Sequence, residues 1–156
     1  MPVSNAWLLT FSDTLHAAVG NLEIIYLLSH IPKLIEVPHR PVYSRYIVAW
    51  QNQQLPLMDI RLFLTGNRGK QADSLQHSKA LAGIVAYHSP ESGVQKYGAL
   101  LLSELPVRTV VDDKQMCGLP ESPDGWVALA ISCFNHDDYG PVPILDLPRI
   151  FSSISV

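Results

Sequence analysis

Charged residues are scarce in this 156-residue chain, and long apolar runs are absent. The 11 basic and 14 acidic side chains give a net charge of −3 and make up only 16% of the sequence. Such a chain lacks the basic patch that binds nucleic acid or an anionic membrane. No run approaches the roughly 20 apolar residues of a membrane span, and Met1–Asp13 has no signal-peptide pattern. We therefore expect a cytosolic protein that neither binds nucleic acid nor inserts into a membrane.

The sequence also lacks the common motifs of catalysis. It has no glycine-rich phosphate loop, no Gly-x-Ser-x-Gly pattern, no His-Glu-x-x-His pattern and no Cys-x-x-Cys pair. Its two cysteines, Cys117 and Cys133, form neither a metal-binding spacing nor a disulfide framework. We expect Cys133 to be a small core side chain, and nothing marks Cys117 as activated. By elimination, binding is favoured over catalysis, and no cofactor is expected.

One histidine and aspartate cluster keeps an enzymatic alternative open. His136, Asp137 and Asp138 are consecutive, and imidazole and carboxylate groups can together bind a metal ion. The chain would then be a small-ligand or metal-dependent enzyme that uses this cluster. A run of this kind is more often a solvated hairpin turn, so we favour a turn without a metal ion over a metal site.

Hydrophobic residues make up 47% of the sequence, which excludes an intrinsically disordered chain. The length argues for one domain over 1–156, with room for two closely packed lobes. Well-behaved protein surfaces carry about 25–35% charged residues. Either uncharged polar residues cover this surface, or part of the apolar excess is exposed and contacts a partner.

Many short apolar segments separated by turn residues predict an all-β barrel or sandwich. The 12 prolines agree with this, because proline is tolerated at strand edges and in turns but not inside helices. One short capped helix is predicted over Leu22–Ser29, and the polar stretch Gly66–Lys79 is predicted to be a long connector. The predicted strands are Trp7–Phe11, Leu15–Val19, Tyr46–Trp50, Leu55–Ile60, Leu81–Tyr87, Tyr97–Leu102, Val107–Val111, Trp126–Phe134 and Pro141–Leu147.

Two sequence patterns occur twice in the same order, which indicates two homologous β-lobes. The first pattern, VPHRP, recurs as LPESP, and the second, LPLMDI, recurs as VPILDL. We expect lobe 1 over 1–66, the connector over 66–79 and lobe 2 over 80–156. This division leaves open that the chain crosses between the lobes.

Each copy of the second pattern contains an aspartate, Asp59 or Asp146. Paired carboxylates can act as acid and base in catalysis. Both aspartates, however, follow a strand and precede an apolar pattern, which is where a helix cap belongs. We predict two capped helices, with Pro148 in the first turn of the second one.

The order of these segments resembles the CheW-like domain of bacterial chemosensory systems, from about Trp7 to Phe151. The stretch LPLMDIR, which begins at Leu55, is similar to the family's apolar-Pro-Φ-Φ-Asp-Leu-Arg block. In the second half, Tyr97–Leu102 and Val142–Phe151 resemble the family's central and terminal segments. The other matching segments are Trp7–Phe11, Leu15–Val19, Glu23–Leu28, Val37-Pro38 with Pro41, and Tyr46–Trp50.

The resemblance implies two small SH3-like, five-stranded β-barrels with short helices around a shared core. It also implies a non-enzymatic adaptor that binds the regulatory domain of a CheA-type histidine kinase and the cytoplasmic tip of a chemoreceptor. Such an adaptor acts in the cytoplasm, in chemotaxis or pilus motility, and self-association through barrel edges stays open. An apolar groove would accept helix side chains. Its implied residues, each of which has barrel core as the alternative, are Ile24, Leu27, Leu28, Ile47, Ala49, Gln51, Leu100 and Leu102.

The hairpin that begins at Tyr46 departs from the family pattern at three positions, and at the first of them Tyr46 stands where a glycine is common. Gln51 stands where an arginine is common, and Asn52 stands where a glycine is common. Because glutamine carries no charge, we expect it to recognise a partner carboxylate less strongly than arginine would.

Overall fold

Eleven strands make up more than half of the residues that the computed structural model describes, which are 3–29, 34–65, 81–121 and 125–154. These ranges also contain three short helices, α1 (Ile60–Thr65), α2 (Trp126–Leu129) and α3 (Leu147–Ile154), and two 3₁₀ turns, Val42–Ser44 and Asp113–Gln115. The predicted all-β class with short helices is confirmed, whereas the predicted connector 66–79 lies outside the described residues. In chain order the strands are β1 (Val3–Ser12), β2 (Leu15–Gly20), β3 (Ile24–Leu28), β4 (Leu34–Glu36), β5 (Tyr46–Trp50), β6 (Gln53–Met58), β7 (Leu81–His88), β8 (Gln95–Leu102), β9 (Val107–Asp112), β10 (Ala130–His136) and β11 (Gly140–Leu145).

The strands form two sheets. The order is β10-β11-β2-β1-β9 in the five-stranded sheet and β3-β7-β8-β6-β5-β4 in the six-stranded sheet. The second sheet has one strand more than expected, because the three-residue strand β4 is added at its edge. In the five-stranded sheet the chain leaves the edge strand β9, turns, and pairs Met116 with Phe134 of the opposite edge strand β10. This pairing joins the two edges and curls the sheet towards a barrel.

Each sheet combines strands from both sequence repeats. The hairpin β1–β2 belongs to the first repeat, but β2 runs parallel to β11, with Ala18 opposite Ile144. The hairpin β7–β8 belongs to the second repeat, but β8 runs parallel to β6, with Ala99 opposite Leu57. The sequential lobes 1–66 and 80–156 therefore do not coincide with the sheets. Their hairpins are exchanged, so the chain crosses between the lobes.

Strand β3 occupies the stretch where the sequence predicted the helix Leu22–Ser29. That prediction was wrong, because a short apolar run fits a strand as well as a helix. Glu23 closes a turn instead: its N–H donates to the Gly20 carbonyl at 3.0 Å, and its carboxylate accepts from the Gly20 N–H at 2.6 Å. The β-branched Ile24 and Ile25 favour extended backbone, and β3 pairs with β7.

The predicted strand Trp126–Phe134 is also wrong in its first half, which forms helix α2. The Ala128 N–H donates to the Gly125 carbonyl at 3.0 Å, which begins the helical turn. The buried side chains Trp126 and Leu129 lie three residues apart and so share one face of it. Here helical spacing, rather than alternation, places both apolar side chains in the core.

The largest core lies between the two sheets. At its centre, the ring of Phe151 on α3 stacks on Tyr87 of β7, with ring centroids 5.4 Å apart. The same ring covers Gly98 of β8, where a Cβ would lie 2.5 Å from Phe151 Cε1. Only glycine permits this approach of ring to backbone. The cluster includes Leu9, Phe11, Val19, Met58, Val85, Tyr87, Leu100, Leu102, Ile150 and Phe151.

We expect Gly98→Ala to lower the free energy of unfolding by about 1–3 kcal/mol, because the added methyl overpacks this core. The Phe151 ring is fully buried and stacked on Tyr87, so it has little room to move aside. Urea denaturation measures the change. Gly118→Ala is the matched control, since a Cβ at Gly118 meets no atom within 4 Å. If Gly98→Ala and Gly118→Ala unfold at the same urea concentration, the close contact between Phe151 and Gly98 is contradicted.

Both predicted aspartate caps are confirmed. Asp59 Oδ1 accepts a hydrogen bond from the Leu62 N–H at 3.1 Å, at the start of α1. Asp146 Oδ1 accepts from the Arg149 N–H at 3.3 Å, at the start of α3, and Pro148 lies in that first turn. Asp59 is buried, and its Oδ2 has no hydrogen-bond partner among the described residues. Burial accordingly raises the pKa of the Asp59 carboxyl above its ordinary value.

We expect Asp59→Ala to lower the free energy of unfolding by about 0.5–2 kcal/mol, because the cap is lost. Asp59→Asn keeps an oxygen acceptor and removes the charge. Since the pKa is raised in the folded state, ionisation of Asp59 costs stability at pH values above 3.8, the ordinary value. The wild type should therefore lose stability relative to Asp59→Asn as the pH rises through the folded pKa. Denaturation series at several pH values test this, and a gain by the wild type over that range would contradict it.

Candidate partner-binding surface

Two of the predicted contact residues, Leu100 and Leu102 on β8, belong to the core between the sheets. They are 0% and 2% exposed, so no partner can touch them in this structure. Alternate residues of β8 face opposite sides, and these two face the five-stranded sheet and α3. Leu100 and Leu102 are therefore core residues, which was the alternative to a partner contact.

Strand β3 carries three predicted contact residues, all half-buried. Ile24 and Leu27 pack against the core between the sheets, whereas Leu28 packs against a second core formed by strands of the six-stranded sheet itself. Their neighbours Ile25 and Tyr26 are 42% and 51% exposed. Because β3 lies at the edge of its sheet, this segment, 24–28, presents an apolar border that we call the β3 flank.

Strand β5 carries two further predicted residues, Ile47 and Ala49. Both face away from Val48, which lies in the second core. Ile47 is half-buried between its cross-strand neighbours Ile35 and Pro56, and Ala49 is exposed. Together with Gln51 at the end of the strand, they form what we call the β5 flank.

The β3 flank and the β5 flank are not adjacent in the sheet. In the strand order, β7, β8 and β6 lie between them, although the sheet curls enough to bring the Tyr26 ring of β3 within 6.2 Å of the Trp50 ring of β5. The part of the sheet between them, around Leu100 and Leu102, is covered by the core. The sequence-predicted residues therefore divide into two flanks and a buried centre.

Three aromatic rings that sequence reasoning did not single out meet at the second core. The Tyr26 ring centroid lies 6.2 Å from that of Trp50, which lies 5.6 Å from that of Tyr97. Aromatic contacts of this kind stabilise the curl of the sheet, since the rings come from β3, β5 and β8. In the sequence, Trp50 ends one predicted strand and Tyr97 begins another, but only strand pairing brings them together.

A two-residue turn, Gln51-Asn52, joins β5 to β6. Both residues have positive φ, 47° and 62°, and Trp50 pairs with Gln53 across the turn. Turns of this mirrored type favour asparagine and glycine. Asn52 is therefore a suitable substitute for the glycine common in the family, and Gln51 presents an exposed amide at the tip.

We expect Asn52→Val to lower the free energy of unfolding by about 1–2 kcal/mol, because a β-branched residue strongly disfavours positive φ. Asn52→Gly should match or exceed the wild type in stability. Gln53→Val is the control, since it adds the same side chain to the neighbouring exposed strand position. Thermal denaturation compares the three variants. A stable Asn52→Val protein would show that the turn has another conformation.

The His136 cluster lies at the turn between β10 and β11. His136 Nδ1 accepts a hydrogen bond from the Asp138 N–H at 3.0 Å. Its ring stacks on Tyr139 at 5.2 Å, and Tyr139 stacks on His16 at 4.0 Å. Burial lowers the pKa of His16. In the described ranges no three His, Cys, Asp or Glu side chains are grouped to hold a metal ion, so this cluster gives the enzymatic alternative no support.

The two-sheet architecture is similar to that of a solved protein, the scaffolding protein TtCheW from Thermoanaerobacter tengcongensis. The TM-score is 0.63, and the match covers 94% of this chain and 90% of that chain at 12% sequence identity. The chain has a CheW-like fold. No family model matches the sequence, and no curated protein matches it. The CheW-like fold agrees with the predicted class of two β-lobes with few short helices.

Proposed function

We propose that this protein is a non-enzymatic adaptor that couples chemoreceptors to a CheA-type histidine kinase, in chemotaxis or pilus motility. The observation that carries the proposal is the CheW-like fold, which extends over 94% of the chain. The similar solved protein is described as a scaffolding protein. A site in the cytoplasm, next to receptor arrays, follows from this role.

The two flanks of the six-stranded sheet support the proposal, because an adaptor must bind two partners at the same time. The β3 flank borders the five-stranded sheet, since Ile24 and Leu27 pack against the core between the sheets. The β5 flank lies on the fourth strand further along the same sheet, after β7, β8 and β6. Because Ile47 and Ala49 face away from the second core, whereas Tyr26 meets Trp50 at it, we propose that the two flanks bind their partners on different sides of the sheet.

We assign the receptor tip to the β3 flank. Its exposed Ile25 and Tyr26 provide the apolar side chains that an amphipathic helix needs, and they lie next to Ile24 and Leu27, which pack against the core between the sheets. We assign the regulatory domain of the kinase to the β5 flank, where Ile47, Ala49 and Gln51 belong to one lobe alone. Leu100 and Leu102 support the sheet from its core and are not part of the proposed contacts.

We expect Ile25→Asp to weaken binding of a purified receptor cytoplasmic fragment at least tenfold, or about 1.4 kcal/mol, because a charge is placed in an apolar contact. Ala49→Asp should weaken binding of the kinase regulatory domain to a similar extent. Isothermal titration with each fragment measures both affinities. Each variant should leave the other partner's affinity within about twofold.

Val94→Asp is the matched control, because Val94 is exposed on the β7–β8 hairpin, outside both flanks. Circular dichroism should show that all three variants keep the wild-type fold. If the wild-type protein binds neither the cognate kinase domain nor the receptor fragment, the proposed function is wrong. If the wild-type protein binds both partners and neither flank variant weakens binding, the adaptor function is supported but the assignment of the two flanks is wrong.

A further inference from the structure

The two cysteines, 16 residues apart in sequence, meet beside the five-stranded sheet. Cys133 lies on the edge strand β10, and Cys117 follows the 3₁₀ turn Asp113–Gln115. The Cys117 thiol donates a hydrogen bond to Cys133 Sγ across 3.5 Å. Both are free thiols, and a disulfide needs the two sulfur atoms to approach to about 2.05 Å. Disulfide formation therefore requires the two sulfur atoms to move about 1.5 Å closer together.

The backbone holds the two thiols opposite each other. The Cys117 N–H donates to the Cys133 carbonyl at 3.0 Å, and the preceding residue, Met116, pairs with Phe134. One residue earlier, Gln115 Nε2 donates to the Asn135 carbonyl at 3.2 Å. The segment 115–117 therefore lies along the open edge of β10 and keeps the thiols in register.

A capped turn anchors this segment to the other edge of the sheet. The Asp112 carboxylate accepts from the Lys114 N–H at 3.0 Å, and Gln115 Oε1 accepts from the Asp112 N–H at 2.8 Å. Asp112 ends β9, whose partner is β1. The thiol pair thus sits where the chain joins the two edges of the five-stranded sheet.

The two thiols differ in access to solvent, and the buried one is a weaker acid than an ordinary cysteine. Cys117 is exposed, whereas Cys133 is 1% exposed. Burial raises the pKa of the Cys133 thiol to about 12. An oxidant in solution can therefore reach Cys117 but not Cys133, and Cys133 keeps its proton until a neighbouring sulfur is activated.

We propose that Cys117 and Cys133 are a redox-responsive pair, in which Cys117 reacts with a peroxide and Cys133 resolves the product into an intramolecular disulfide. The proposal concerns a modification site and is independent of the adaptor function.

The reaction balances with one equivalent of hydrogen peroxide. The Cys117 thiolate attacks one peroxide oxygen and the O–O bond breaks, which gives a sulfenic acid and, after protonation, one water. The Cys133 sulfur then attacks the Cys117 sulfur, the S–O bond breaks, and the Cys133 proton leaves with the hydroxyl group as a second water. The two sulfurs are oxidised by two electrons in total, and the peroxide is reduced.

The disulfide would fix the segment 115–117 to β10 and so lock the junction between the two edges of the sheet. In the reduced form, hydrogen bonds and the Met116–Phe134 pairing hold this junction. The resolving thiol also protects Cys117, because a sulfenic acid without a neighbouring thiol oxidises further and irreversibly.

The experiment uses the reduced, full-length wild-type protein at low micromolar concentration. It is treated with a few equivalents of hydrogen peroxide, unfolded, alkylated and analysed by intact mass and peptide mapping. We expect loss of both alkylatable thiols, a mass decrease of about 2 Da and a peptide linking Cys117 to Cys133, all reversed by dithiothreitol. The oxidised protein should also have a higher thermal midpoint than the reduced one.

Two variants separate the roles of the thiols. In Cys133→Ala, Cys117 should gain oxygen and bind dimedone, and dithiothreitol should no longer restore all of it. In Cys117→Ala, Cys133 should stay alkylatable, because it is buried. Oxygen added to Cys117 of the wild type while Cys133 remains a free thiol, or a disulfide between two chains as the main product, would overturn the proposal. The wild-type result decides this even if a variant does not fold.

Discussion

The contact between the Phe151 ring and the Gly98 backbone is the constraint on which the rest of the structure depends. Phe151 lies on α3, directly after the five-stranded sheet, and Gly98 lies in β8 of the six-stranded sheet. Burial of such a ring contributes about 1.5–3 kcal/mol, and it does so only while the backbone below it carries no side chain. Each sheet alone would expose an apolar face, so the two sheets are stable as one unit with a shared core.

This shared core also decides where a partner can bind. The core uses the centre of one face of the six-stranded sheet, including Leu100 and Leu102. The apolar borders that we propose as partner contacts, the β3 flank and the β5 flank, lie on strands that other strands do not fully cover. The low charge content of the sequence is consistent with such exposed apolar borders.

Local features were predictable from the sequence, and long-range features were not. Asp59 and Asp146 were identified as caps because capping involves residues three positions apart. The β3 strand was missed because its five residues fit either period, and its pairing partner β7 lies more than 50 residues away. For the same reason, alternation along β8 places Leu100 and Leu102 on one face, but it does not show which face is buried. The proximity of Cys117 and Cys133 follows from strand pairing alone.

The exchange of hairpins explains why the two sequence repeats do not correspond to the two sheets. In each repeat a proline-containing strand, β6 or β11, is followed by a capped helix, α1 or α3. Strand β6 pairs antiparallel with β5 of its own repeat and parallel with β8 of the other repeat. In the same way, β11 pairs antiparallel with β10 and parallel with β2. The two sheets are thus built on one plan, but each is completed by the other repeat's hairpin. Neither half of the chain contains all the strands of either sheet, so the repeats must fold together, and the contact of Phe151 with Gly98 joins them at the centre.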